Sequence, residues 1–205
     1  MHYDASSLAP AAIYKLLTGL VVPRPIAWVM SRNPQGLLNL APFSFFNCVG
    51  TDPGLVILSV GNHPDRPKDT AANIQSHPFF VINLVDEQHA QAMSDSATDY
   101  PESISEVEHL KLETTASPLV DVPRLAAAPA AFECRLHSVQ TIGNNRLIFG
   151  EILGIYVRDE FLSDAQRCHV SSAKMHLIGR MGGAGGYTRT TDVFEIERKR
   201  FNKEL

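Results

Sequence analysis

Arg66-Pro-Lys-Asp-Thr70 places two cations and a hydroxyl directly ahead of Ala71-Ala-Asn-Ile74, where a helix is expected to begin. A helix N-terminus carries unpaired N–H groups and a partial positive charge, which together favour an anion. Arginine can grip a phosphate through two parallel bonds, and lysine acts on it as a point charge. Arg66, Lys68 and Thr70 therefore read as a phosphate site. Asp69 supports a plainer reading, because it would repel a phosphate at close range. In that reading Asp69 caps the helix and the basic side chains stand in water. The segment has no GxxxxGK[ST] pattern, so it is not a Walker loop.

About twenty residues upstream lies Asn39-Leu-Ala-Pro-Phe-Ser-Phe-Phe-Asn47. Phe43, Phe45 and Phe46 fit an ordinary core strand. Ser44 and Asn47 in the same apolar run fit it less well, because buried polar side chains need partners. Pro42 inside a strand implies an edge or a bulge, where backbone N–H groups are free. A flat heterocycle with polar edges would answer these features. Taken together, the two segments suit an aromatic ligand that carries a phosphate, and flavin mononucleotide (FMN) fits both halves.

The elements that must hold these segments are mostly short strands. Ala11 to Leu17 reads as a helix, ended by Pro23 and Pro25. Ile26 to Met30 reads as a strand, Asn33-Pro-Gln-Gly36 as a tight turn, and Leu37 to Phe46 as the returning strand. Asp52-Pro-Gly54 turns the chain into the β-rich run Leu55 to Val60. Asp69 to Gln75 is a short helix stopped at His77-Pro78, Phe79 to Leu84 a buried strand, and Glu87 to Ser94 a helix. Asp95 to His109 is polar and reads as a surface excursion. Ala131 to Ile142 and Arg146 to Val157 form a long hairpin about Gly143-Asn-Asn145. Its first strand alternates Phe132, Cys134 and Leu136 against Glu133, Arg135 and His137. Many strands and few helices predict a mainly β protein, a β-barrel with peripheral helices.

The composition excludes several classes. Of 205 residues, 44% are hydrophobic and 20% charged, as in globular proteins generally. The net charge of −4, from 18 basic and 22 acidic residues, gives no electrostatic case for nucleic acid or an anionic membrane as partner. Apolar runs such as Leu55 to Val60 are too short to span a bilayer, and the N-terminus lacks a signal-peptide pattern. Cys48, Cys134 and Cys168 are odd in number and far apart, which points to a reducing, cytoplasmic setting. Cys48 sits among apolar residues and reads as a buried thiol. The eight histidines show no HExxH spacing, so no metal site is expected. Ser44 is not in a GxSxG elbow, so a serine hydrolase has no support.

Five segments carry a resemblance. Pro23-Arg-Pro-Ile-Ala-Trp28, Asn39 to Asn47, Asp52-Pro53, Lys68-Asp-Thr70 with Asn73-Ile74, and Arg180-Met-Gly-Gly183 with Tyr187 occur in the order found in the flavin reductase-like family. The chain resembles that family, flavoredoxin-type proteins included, from about Leu20 to Tyr187. The resemblance implies one FMN-binding split-barrel domain over residues 1–205, with a core near 20–187 and a tail at 188–205. It also implies a homodimer with FMN near the interface, and hydride transfer from NADH or NADPH through the flavin to a small-molecule acceptor. The phosphate would meet Arg66, Lys68 and Thr70 with Asp69 beside them. The ring would lie near Asn39, Ala41, Pro42, Ser44, Phe45 and Asn47, with Ser31 a further candidate. The chemistry belongs to the cofactor, so no side chain is required as acid or base. The phenylalanine-rich strand points toward flavoredoxins and away from a monooxygenase partner. An FMN-holding electron carrier without its own NAD(P)H reaction is the alternative. Arg24, held between prolines, and Tyr187, after the glycine run, stand near the expected site without a fixed role.

Overall fold

A computed structural model describes residues 1–199. Helix α1 (Pro10–Leu20) opens on proline, whose missing N–H is harmless in the first turn. Strand β1 (Ala27–Arg32) follows, and the Asn33–Gly36 turn closes with the Gly36 N–H donating to the Asn33 carbonyl at 2.9 Å. Gly36 has φ +87°, a conformation glycine adopts without strain. Strand β2 (Leu38–Phe43) returns antiparallel, with Trp28 opposite Pro42 and Ser31 opposite Asn39.

The expected single strand from Leu37 to Phe46 is two strands, broken at Ser44 and Phe45. Beyond the break, β3 (Phe46–Thr51) leaves β1 and pairs with β4 (Gly54–Gly61). Further along lie β5 (Phe79–Asn83), β6 (Ala130–Ile142) and β7 (Asn145–Val157). The antiparallel sheet runs β2-β1-β5-β6-β7-β4-β3. Its two edge strands are thus consecutive in the chain. The sheet curls until they meet at Ser44–Phe45, where the Phe45 carbonyl accepts from the Ser59 N–H at 2.8 Å. The result is a mainly β split barrel. Pro42 is tolerated because β2 is an edge strand.

The central strands are apolar on both faces because both faces are covered. One face of β1 and β5 gives Ala27, Val29, Phe80 and Ile82, packed with Ala71 and Ile74 of helix α2 (Asp69–Ser76). The other gives Trp28, Met30 and Val81, packed with Met93 of helix α3 (Ala90–Asp95) and Val107 of helix α4 (Glu106–His109). The polar stretch Asp95 to His109 is therefore more than a surface excursion. The helix expected over Glu87 to Ser94 is a 3-10 turn at Glu87–His89 that leads into α3.

One burial expectation is corrected and one alternation is qualified. Cys48 is exposed, because β3 is a sheet edge whose outer side nothing among the described residues covers. Glu133, placed by the alternation on the side of Arg135 and His137, differs from both in being 2% exposed, and its carboxylate accepts from the Leu119 N–H at 2.8 Å. A register shift between Glu133 and Cys134 interrupts the simple alternation there. The glycine run 182–186 is the turn between β8 (Ile178–Met181) and β9 (Gly186–Arg189). Of the expected tail, Thr188 and Arg189 belong to β9, and residues 200–205 lie outside the described residues.

Candidate functional site

Strand β2, the start of α2 and the 96–106 segment converge on two adjoining clefts. The smaller, about 80 Å³, is lined by Asn39, Ala41, Pro42 and Phe43, by His63, Lys68, Asp69 and Thr70, and by Ser96 to Tyr100 with Glu106. The larger, about 330 Å³, lies between the β1–β2 turn and α2 and includes Arg66, Glu102 and Glu106. Asn39, Asp69 and Glu106 border both.

At the smaller cleft the start of α2 is open to a ligand. The residue before it, Lys68, makes no side-chain bond to the first amides. Asp69 does not cap the helix as expected. It pairs instead with Arg66, Nη1 to Oδ1 at 2.5 Å, and the same Arg66 nitrogen lies 2.8 Å from Glu102. The two basic residues therefore differ. Arg66 is held by two carboxylates on the side of the larger cleft, while Lys68 has no ion pair among the described residues.

Behind the cleft wall runs a polar network. Thr70 donates to Asn39 Oδ1 at 2.9 Å, and Ser31, fully buried on β1, donates to the same oxygen at 3.3 Å. Asn73 Nδ2 donates to Ser31 at 3.3 Å. Asn39 Nδ2 donates to both oxygens of Glu106 at 3.0 and 3.1 Å, and the Leu40 N–H donates to Oε2 at 2.9 Å. Ser31 thus supports Asn39 and does not line either cleft. Burial is the largest influence on Glu106 and pushes its carboxyl above the ordinary range, with Asp69 adding to it. The Leu40 N–H and the Asn39 amide act in the opposite direction.

The remaining expected site residues lie elsewhere. Ser44 accepts from Arg24 Nε at 3.3 Å, Phe45 stacks obliquely on Tyr14 at 6.4 Å, and Asn47 faces outward on β3. None of the three lines either cleft. Arg24 is neither a surface residue nor a ligand of the clefts. It is 5% exposed and donates to the carbonyls of Thr18, Val21 and Gly182 at 2.8, 2.9 and 2.8 Å. A cation at the C-terminal carbonyls of a helix is electrostatically favourable. Arg24 therefore binds the end of α1 to the glycine turn and to the seam at Ser44. Tyr187 packs under the Arg180 guanidinium at 4.7 Å.

The sequence reading did not single out Glu106, His63 or the Ser96–Tyr100 wall, and it quoted Asn73 only within a motif. Glu106 had one visible signal. Ser105-Glu106-Val107 is a helix start with an apolar residue to bury, set inside an otherwise polar stretch.

The donors suit FMN in part. An uncapped helix start beside Lys68 accommodates an anion, and the β2 segment Ala41–Phe43 extends from it as a surface for a ring. A cleft of about 80 Å³ is smaller than the roughly 300–1,000 Å³ of a complete small-molecule site. It has room for a head group alone, so the rest of such a ligand would lie outside it.

The flavin reductase like domain model matches residues 19–171, and the chain belongs to that family. An uncharacterized protein of Deinococcus radiodurans is 46% identical over 202 residues, which is 96% of this chain and 89% of that protein. The 2-nitrobenzoate 2-nitroreductase NbaA of Pseudomonas fluorescens is 39% identical in structural alignment, with a TM-score of 0.89 and 98% of each chain covered. Nitrilotriacetate monooxygenase component B of Bacillus cereus is 29% identical, with a TM-score of 0.90 and 96% of this chain and 98% of that one covered. No helix among the described residues is long and apolar enough to cross a membrane.

Proposed function

We propose that the chain is a single-domain, FMN-binding oxidoreductase that oxidises NADH or NADPH, works in the cytoplasm, and acts as a homodimer. Membership of the flavin reductase like family supports the flavin. The observation that carries FMN in particular is the uncapped start of α2, with Lys68 beside it in no ion pair among the described residues, opening on the cleft that continues along Ala41, Pro42 and Phe43. Lys68 and the first amides of α2 hold the phosphate, and Ala41, Pro42 and Phe43 support the ring. When bound, the flavin accepts a hydride from the nicotinamide and passes electrons to an acceptor. The small size of the cleft in one chain supports a second copy as the missing wall. Ser44, Phe45 and Asn47 then belong to the seam and edge that such a copy would approach. Denaturing the purified protein and identifying the released flavin tests the cofactor. FMN is expected, and FAD or riboflavin as the sole flavin would remove the case for the phosphate site.

A second reading concerns the acceptor. The 39% identity with a protein named as a 2-nitrobenzoate 2-nitroreductase favours a nitroaromatic carboxylate over free flavin, a quinone or ferric iron. Comparing the rates of NAD(P)H oxidation with 2-nitrobenzoate and with free flavin as acceptors distinguishes the two.

A further inference from the structure

Glu106 controls more of the smaller cleft than its burial suggests. It is 7% exposed, and its ionised carboxylate can only accept hydrogen bonds. It therefore requires the Asn39 amide to turn nitrogen toward Glu106 and oxygen toward Thr70 and Ser31, which is the arrangement observed. Thr70 has one O–H, already engaged at 2.9 Å by Asn39 Oδ1. Toward the cleft that it lines, Thr70 then presents only lone pairs. The threonine expected to donate to a phosphate does not do so while Glu106 is charged.

We propose that Glu106 is a positioning residue that sets the direction of the Thr70 hydroxyl, so that a phosphate enters the smaller cleft with uptake of one proton by Glu106. The proposal rests on the FMN reading given above. The proton comes from solvent and settles on Oε1, leaving Oε2 to accept from the Leu40 N–H as before. The Asn39 amide turns by half a rotation, and Oε1–H donates to its oxygen. Asn39 Nδ2 then donates to Thr70 and Ser31. The Ser31 O–H, displaced from Asn39, donates to Asn73 Oδ1 after the same half rotation of the Asn73 amide, whose Nδ2 donates to Ser31 in the observed arrangement. The Thr70 O–H is released and turns into the cleft as a donor. No covalent bond is made or broken apart from that of the transferred proton.

The titratable and charged groups about Glu106 are Asp69 from α2, His63, Arg66 and Lys68 from the loop before it, Asp99 and Tyr100 from the 96–100 wall, and Glu102 from its own segment. Burial and the Asp69 charge both favour the protonated carboxyl. A phosphate entering beside them adds negative charge and favours it further.

The test is a double-mutant cycle read as dissociation constants of FMN and riboflavin between about pH 5 and about pH 8. Glutamine in Glu106→Gln supplies the same acceptor to Leu40 and a permanent donor to Asn39 Oδ1, which fixes the turned arrangement. Glu106→Gln should bind FMN about tenfold more tightly than the wild type near pH 8, with the advantage closing toward pH 5, because one charged hydrogen bond is worth about that factor. Riboflavin should show no advantage at any pH. The phosphate's own titration is common to all variants and cancels in the ratio.

Simple repulsion between Glu106 and the phosphate would give the same trend, and Thr70 separates the two explanations. In Thr70→Val the Glu106→Gln advantage should vanish, and in Thr70→Ser it should remain. An advantage that persists in Thr70→Val, or that is independent of pH, overturns the proposal. Should Glu106→Gln fail to fold, the wild-type pH dependence of the FMN-to-riboflavin ratio, retained in Thr70→Ser and reduced in Thr70→Val, carries the test. FMN binding with none of these differences overturns this proposal alone. No FMN binding to any variant overturns it together with the FMN reading.

Discussion

Lys68 and Arg66 are two residues apart and have different surroundings. Lys68 has no ion pair among the described residues and stands beside the start of α2, whereas Arg66 is shared between Asp69 and Glu102. Lys68→Ala should therefore weaken FMN about tenfold or more, with riboflavin little changed, since a charge-assisted bond is worth roughly 1.5–3 kcal/mol. Arg66→Ala should cost less. Equal losses for both flavins in Lys68→Ala, measured by fluorescence titration, would remove the lysine from the phosphate. Glu106 gives a second prediction, about stability. Burial holds its folded-state carboxyl above the ordinary range, so the fold favours the protonated form more than the unfolded chain does. That contribution is present below the unfolded value and is lost as pH rises through the raised folded value. Glu106→Gln should therefore be more stable than wild type at alkaline pH, and the gain should shrink in acid. Thermal melts at several pH values check this, and a gain that grows in acid would contradict it. The sequence made Asn39, Lys68 and Thr70 legible because helix starts and polar residues in apolar runs have local causes. Glu106 was not legible, because its partners Asn39 and Leu40 lie more than sixty residues away.

Most elements could be read from punctuation by proline and glycine. Pro23 and Pro25 end α1, Asn33-Pro-Gln-Gly36 turns β1 into β2, and the hairpin of β6 and β7 follows from its alternation. The break at Ser44–Phe45 could not be read that way. The run Leu37 to Phe46 has no turn signal at Ser44–Phe45, and the chain changes pairing partner there because the barrel has to close at a seam. Burial on β3 failed for the same reason, since an edge strand with aromatic neighbours resembles a core strand in sequence. The packing of β5 against β7 gives a prediction at this scale. A Cβ added at Gly150 would stand 2.5 Å from Phe80 Cζ, and Phe80 is fully buried. Gly150→Ala should destabilise the protein by about 1–3 kcal/mol through overpacking. A denaturant midpoint within error of wild type would show that Phe80 has room to move.

At the scale of the molecule, the described residues of one chain leave the β3 edge uncovered. On β3, Cys48 and Val49 are exposed, Val49 at 51%, and Phe45 stands at the seam beside them. Tyr14, Leu17, Leu20 and Val21 add an exposed apolar strip on and just after α1. Exposed edge strands and apolar patches of this kind mark association surfaces. Val49→Asp is expected to shift the proposed dimer toward monomer and to lower FMN occupancy with it, measured together by light scattering and flavin absorbance. A monomer that keeps full occupancy would show that one chain suffices. The central claim, that this chain oxidises a nicotinamide through a bound flavin, has a direct measurement. The FMN-loaded protein is mixed with NADH, and separately with NADPH, under anaerobic conditions while the flavin absorbance is followed. Bleaching by at least one of the two, restored when 2-nitrobenzoate or another acceptor is added, is the predicted result. An oxidised flavin spectrum that neither nucleotide changes, but that dithionite bleaches, would contradict it and leave an electron carrier reduced by another protein.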